Sequence, residues 1–375
     1  MRVLVTSTPG FGHVQPILPL AVELRTQGHE VRWVAGEPGA TAVAAAGFEV
    51  TVAGMSPRDR NAELNRRHPD LFARPLADAR AIAFSTHFGE LAAPVMAAAL
   101  GTVMAEWRPD VVVHDAAELG APLVAASADV PSVCLGFGEL VPARSALAAG
   151  DAVAPLWEAA GLEPDPYAGS YRGLYVDLYP PSLRGEPMDH VPAVQSRRPA
   201  DAAALAAGPL VYVTFGTVFN EVDDGFRAAV LGAAAVADEV LVTVGPTGDP
   251  AGLGQLPDNI RVERFVPQGE LLPRCAAVVC HGGSGTVLAS LAHGLPLLCL
   301  PRGADQFTNA DNVARAGAGV ALRPAEVSDG SVRDAIRGLL EGSAARTAAA
   351  RLAAEIAGMP SDAEVAAAIV AFAAR

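Results

Sequence analysis

The sequence predicts an α/β protein of two doubly wound domains, each a parallel sheet covered by helices, facing one another across a cleft. Three observations carry this reading. Short strand-like runs such as Val111-Val112-Val113 are apolar on both faces, which suits a sheet buried on both sides. These runs alternate with segments of helical period. The scheme also starts twice, at Val3 and again at Leu210, with a proline-rich stretch between.

The first half opens with a strand over residues 2–7 and the turn Thr8-Pro9-Gly10-Phe11-Gly12-His13. A helix follows, with Ile17, Leu20, Ala21 and Leu24 on one face, stopped at Gln27-Gly28. Strands are expected at 31–35, 111–113 and 130–135, and a helix at 40–46 ended by Gly47. Residues 55–98 are polar, with Arg, His and Phe interspersed, and read as a loop-rich insertion able to shape a pocket. Residues 180–208 carry Pro180, Pro181, Pro187, Pro192 and Pro199 and read as a linker. In the second half, strands are expected at 210–215, 239–244, 261–264, 277–280 and 297–300. Helices are expected near 223–237, 285–293 and 308–316. The domains are then 1–200 and 209–360, with a final helix in 361–375.

Composition narrows the chemistry. The chain has 375 residues and a formal charge of −14, and all 27 of its basic residues are Arg. Without Lys there is no Schiff-base lysine and no complete phosphate-binding P-loop. The negative charge and the lack of a basic run argue against nucleic acid. The cysteines Cys134, Cys275, Cys280 and Cys299 lack CxxC spacing and read as buried free thiols in a reducing compartment. The apolar stretch 275–301 holds several Gly, two His and Pro296, so it reads as strand–loop–helix–strand and not as a membrane span. The expectation is a soluble cytoplasmic protein, monomeric or homodimeric.

In doubly wound sheets ligands sit outside the carboxyl ends of the strands. The run His281-Gly282-Gly283-Ser284-Gly285-Thr286 lies at such an end and opens a helix. Its free N–H groups and the helix dipole suit an anion, and His281, Ser284 and Thr286 add donors. A plain Gly-rich turn capped by Thr286 would read the same. Asp305 and Gln306, after the next strand, pair an acceptor with a donor as sugar hydroxyls require, although Asp305 could instead cap its helix. His13 stands at a helix N-terminus, where the dipole favours the neutral imidazole a general base needs. Asp115 could hold one ring nitrogen of His13 if the strands at 3–6 and 111–113 are neighbours. His114 points to the opposite face. No metal-ligand cluster, GxSxG elbow or complete GxGxxG is found.

Taken jointly, TPGFGH at 8–13, VVVHD at 111–115, YVTFGT at 212–217, RFVPQ at 264–268, HGGSGT at 281–286 and DQFTNAD at 305–311 resemble family 1 glycosyltransferases of the GT-B fold. The likeness is to the bacterial enzymes that decorate macrolides and other polyketides. It covers essentially the whole chain and implies two Rossmann-like domains, acceptor-binding then donor-binding. The final helix, about 362–374, would cross back to the first domain. The resemblance implies inverting transfer of a sugar from a nucleotide diphosphate, with His13 as base and Asp115 orienting it. Gly12, Thr217, Phe265, Val266, Gln268, His281, Gly283, Ser284, Gly285, Thr286, Asp305 and Gln306 would bind the donor. No metal or other cofactor is implied.

Two positions depart from the family pattern. Where UDP-sugar enzymes often carry a ribose-binding Glu, eight residues after the phosphate-binding His, this chain has Ala289. That points to a thymidine diphosphate donor over a UDP-sugar. Phe265 stands where many members have Trp, and it can still stack on a pyrimidine. A large hydrophobic acceptor is expected, with Phe11, Phe84, His87, Phe88, Phe137 and Trp157 as candidate lining, although each would also serve as core. Rival readings are a nucleotide-sugar 2-epimerase of the same fold and a non-catalytic transferase partner.

Overall fold

The computed structural model describes residues 1–185, 187–199, 205–206, 208–216, 223–245 and 248–375. The chain divides into two compact units. One comprises Met1–Leu178, Glu186–Arg197 and Pro360–Arg375, and the other Tyr179–Gly185 and Arg198–Met359.

The first unit is built on seven parallel strands: β1 (Arg2–Ser7), β2 (Glu30–Ala35), β3 (Glu49–Val52), β4 (Val111–Asp115), β5 (Ser132–Leu135), β6 (Leu174–Asp177) and β7 (Val194–Ser196). Their order is β3-β2-β1-β4-β5-β6-β7. The central strands bury both faces, and every residue of β4 is buried. In register, Val3, Leu4, Val5 and Thr6 of β1 lie beside Val111, Val112, Val113 and His114 of β4. Parallel neighbours need crossover connections, and helices such as Leu18–Thr26 and Ala93–Trp107 supply them.

The second unit has six parallel strands: β8 (Leu210–Thr214), β9 (Val240–Thr243), β10 (Ile260–Glu263), β11 (Cys275–Cys280), β12 (Leu297–Cys299) and β13 (Gly319–Ala321). Their order, β10-β9-β8-β11-β12-β13, repeats the winding of the first sheet. Its core joins β8, β9 and β11 to the helices Asp224–Ala234 and Asp329–Glu341. Phe226 and Phe215 pack there with ring centroids 4.4 Å apart. The stretch 275–301 forms β11, the helix Ser284–Ala292 and β12. All four cysteines are buried and unpaired.

Three expectations change. The segment 55–98 is not loop-rich: it forms the helix Pro57–Arg67 and then a helical run from Leu76. Its scattered polar residues face solvent, while Arg60 and Leu64 turn inward. That run, Leu76–Trp107, is long and apolar enough to cross a membrane. It nonetheless packs on the helices Gly120–Ser127 and Ala143–Ala159 of its own unit. Second, the stretch taken as linker contains β7, too short and polar for its pattern to be seen. Third, Trp157 does not line a pocket: it is 0% exposed and belongs to a core cluster. The last helix, Asp362–Ala373, is part of the first unit. Gln27 donates to the carbonyl of Ala363, and Arg197 pairs with Asp362 at 2.5 Å.

Phe226 is fully buried in the second unit's main cluster. Phe226→Ala is expected to cost about 3–5 kcal/mol of unfolding free energy in urea titration. A loss under about 1 kcal/mol, the scale of an ordinary surface change, would contradict this packing.

Candidate functional site

Strand order reverses at β1 in the first sheet, which lies between β2 and β4. In the second sheet it reverses at β8, between β9 and β11. Loops leaving the carboxyl ends on either side of a reversal diverge and leave a crevice. His13, Asp115 and His281 lie at these two places, whereas Phe265, Val266 and Gln268 follow the edge strand β10.

In the first unit, Asp115 ends β4 with 0% exposure. Its Oδ2 accepts the Thr8 N–H at 2.6 Å, and its Oδ1 accepts the Ala117 N–H at 2.7 Å. The same Oδ1 lies 3.1 Å from Nδ1 of His13. Burial alone would raise the Asp115 pKa. The charge and hydrogen bond of His13, with the two backbone donors, outweigh it and hold the carboxyl below its ordinary value. With Nδ1 on Asp115, His13 presents Nε2 for another partner, and its side chain keeps 20% exposure. Gly10 leaves space for the ring: a Cβ there would stand 3.1 Å from Cδ2 of His13. Gly12, beside it, is open to solvent.

Aromatic rings frame this histidine. Phe137 lies 4.5 Å and Phe88 5.9 Å from it, centroid to centroid. Phe84 continues the row at 5.0 Å from Phe88, and His87 meets Phe88 edge-on at 6.0 Å. His87 and Phe88 sit in a π-helical stretch, Ser85–Ala92, a wider winding often found at functional sites. Phe11 is 37% exposed on the first turn. Sequence reasoning missed Glu118, which is fully buried. Burial and the charge of Asp115 push its carboxyl up to about 8, although it accepts the N–H groups of Gly120 and Ala121.

In the second unit, β11 delivers His281, and Gly283 starts the helix Ser284–Ala292 with no side chain capping it. The expected alternative, a Thr286 cap, is not what forms: Thr286 accepts from Gln268 at 3.1 Å. Uncapped, the first N–H groups of the helix remain a positive terminus. Glycines make room for the His281 ring, since a Cβ on Gly216 or Gly283 would come within 2.7 or 2.6 Å of it. Gly216 also has φ +74°, which favours glycine. Burial lowers His281 to about 4, helped by the charge of Arg302, so the ring is neutral near pH 7.

Asp305 likewise does not cap its own helix, Gln306–Arg315. Its Oδ2 accepts from Ser284 Oγ at 2.7 Å and lies 3.0 Å from Asn309 Nδ2. Asn309 is the hub the sequence did not single out. It is fully buried, donates to the Gly282 carbonyl at 2.8 Å and to Ser284 Oγ at 2.9 Å, and accepts from Tyr179 at 2.9 Å. Gln306 is 2% exposed, and its Oε1 accepts the N–H groups of Arg302 and Gly303, so this oxygen braces the loop. Arg302, also missed, stacks on Phe215 at 4.1 Å and pairs with Asp223 at 2.5 Å. Its position between strand end and helix was the available signal. Phe265 is 64% exposed, with Val266 half-buried beside it. Gly285 is open to solvent. Thr217 lies outside the described residues. Among the described residues no group of three or more His, Cys, Asp or Glu could hold a metal ion.

Comparison with known proteins places this geometry in context. Residues 22–197 match the N-terminal domain, and residues 228–372 the C-terminal domain, of the family described as erythromycin biosynthesis protein CIII-like. The L-demethylnoviosyl transferase of Streptomyces niveus is 33% identical, over 98% of this chain and 97% of that protein. The crystal structure of glycosyltransferase VinC in complex with dTDP is 27% identical, covers 100% of both chains and superposes with a TM-score of 0.82. The spinosyn rhamnosyltransferase SpnG, solved with spinosyn aglycone, is 27% identical, with a TM-score of 0.79 over 99% of this chain and 100% of that one.

A neutral buried His281 makes stability pH-dependent. Its ordinary value is 6.5 and its folded value about 4, so between these the unfolded chain binds more protons. The contribution is complete above pH 6.5 and is lost as pH falls toward 4, up to about 3 kcal/mol in all. His281→Gln is expected to flatten the decline in urea stability over that range. Parallel profiles for both proteins would refute the buried neutral ring.

Proposed function

Given that the chain belongs to the erythromycin CIII-like family and is a glycosyltransferase of the GT-B fold class, of the macrolide and antibiotic type, we propose that it moves a sugar from a thymidine diphosphate donor to a hydroxyl of a hydrophobic acceptor, with inversion. The observation that carries this reading is the hydrogen bond between His13 Nδ1 and Asp115 at the first strand-order reversal.

In this reaction the acceptor hydroxyl gives its proton to Nε2 of His13. The freed oxygen attacks the anomeric carbon as the bond to the diphosphate breaks on the opposite side, and the electron pair leaves with the phosphate. Asp115, ionised and held by two backbone N–H groups, stabilises the imidazolium that forms. The leaving diphosphate takes the open helix terminus at Ser284–Thr286, the Thr286 hydroxyl and a ring N–H of His281. Phe265 stacks on the pyrimidine, with Val266 and Gln268 beside it, and Asp305 and Gln306 meet the sugar. The reading needs no metal. Phe137, Phe88 and Phe84, with Phe11 and His87 nearby, favour a large apolar acceptor, and the solved SpnG was bound to a spinosyn aglycone.

Ala289, on the helix Ser284–Ala292, supports the thymidine donor, because no carboxylate stands there for a ribose 2′-hydroxyl. VinC was solved with dTDP. We also read the protein as cytoplasmic and directed at small molecules, in keeping with the charge of −14.

His13→Ala is expected to lower kcat by about 100-fold or more while dTDP affinity measured by calorimetry stays within about threefold. Transfer at the wild-type rate would remove His13 as the base. Separately, steady-state kinetics should give a higher kcat/KM with dTDP-glucose than with UDP-glucose, and Ala289→Glu should narrow the gap. A wild-type preference for UDP-glucose would overturn the donor assignment.

A further inference from the structure

One buried cation in the first unit packs on an aromatic ring but leaves two of its donor nitrogens unbonded. Arg60 sits on the helix Pro57–Arg67, and the residue is only 6% exposed. Its guanidinium stands 5.1 Å from the centroid of Phe88, the ring that also lies 5.9 Å from His13. Among the described residues its Nε and Nη1 have no hydrogen-bond partner. Buried arginines are almost always paired, because an unpaired cation away from water is costly.

The neighbouring acids do not relieve it. Asp59 is bound by Ser56, Glu63 by Arg66 and Arg67, and Glu90 by Arg67. The charge of Asp115 is felt by Arg60, but both oxygens of that carboxylate are taken by Thr8, Ala117 and His13. Beside Arg60, the buried Nε2 of His87 is also without a partner among the described residues. Burial and the charge of Arg60 hold His87 down to about 4, so it is neutral near pH 7 and adds a polar atom but no charge. The base, the arginine and two phenyl rings thus converge on one wall of the first unit.

We propose that Arg60, with Nε2 of His87, forms a subsite for an anionic oxygen on the acceptor, a carboxylate or ionised phenol separate from the hydroxyl that receives the sugar. This rests on the reading of the His13 loop as the acceptor side of a transferase. The acceptor class then sharpens from hydrophobic to aromatic and acidic. Its rings lie against Phe88 and Phe137, and its charge completes the bonding of a guanidinium that the protein leaves open. A planar guanidinium with directed donors suits such an oxygen better than a diffuse charge would.

The test is binding of a dihydroxyanthraquinone carboxylate (rhein) and of its uncharged methyl ester, followed by calorimetry without donor near neutral pH. Wild-type protein is expected to bind the acid about tenfold or more tightly than the ester. Arg60→Gln should bring the two affinities together, and Arg60→Lys should keep part of the difference. dTDP affinity should be unchanged in both variants. Equal binding of acid and ester to the wild type overturns the proposal without any variant, as does a preference that survives in Arg60→Gln or binding of neither probe. Sugar transfer with no charge preference would sink the subsite alone. A charge preference that depends on Arg60, in a protein whose His13→Ala variant still transfers at full rate, would leave the subsite standing and sink the base.

Discussion

Both sheets are wholly parallel, and that constraint organises the molecule. A parallel pair cannot be closed by a tight turn, so every connection crosses over and every strand ends at the same edge of its sheet. Where the order reverses, at β1 and at β8, successive connections run to opposite faces and their loops separate. Backbone N–H groups and short polar side chains, most of them buried, are brought together at these two places. The chain places His13 and Asp115 at one reversal, and His281 with its glycine turn at the other.

Electrostatics at these places works through neutralisation more than accumulation of charge. His281 and His87 are pushed down to about 4, and Glu118 up to about 8, so all three are uncharged near pH 7. Asp115, by contrast, keeps its charge. It remains an anion in a fully buried position because two backbone N–H groups and His13 surround it. A lysine-free chain of charge −14 keeps an uncapped helix terminus at Gly283 and holds arginines close to aromatic faces.

Much of the fold was legible from residue patterns. The core strands at 2–7, 111–115, 210–214 and 275–280 are largely apolar runs with valine in each, and their burial on both faces follows from composition. The weak elements escaped. β7 has three residues and a half-exposed pattern, and β13 likewise, so neither has a signature apart from the sheet it joins. The segment 55–98 looked like a loop because its polar residues are many, yet the helix Pro57–Arg67 shows mainly those residues to solvent.

The sequence by itself determined which side chains stand at strand ends, because glycine turns between an apolar run and a helical period are local features. It also determined that His13, Asp115, His281 and Asp305 were the polar groups to watch. Only the tertiary structure decided which groups His13, Asp115 and Asp305 bond to. The His13–Asp115 contact spans 102 positions and depends on β1 and β4 being neighbours. Asp305 could have capped its own helix, but it accepts from Ser284, brought beside it by Asn309. Gln306 turns its oxygen to its own loop, and Arg60 turns inward to Phe88. Periodicity and local capping act over a few residues and can be read along the chain. Pairing between distant polar groups is settled by strand order and by which donors burial leaves unsatisfied.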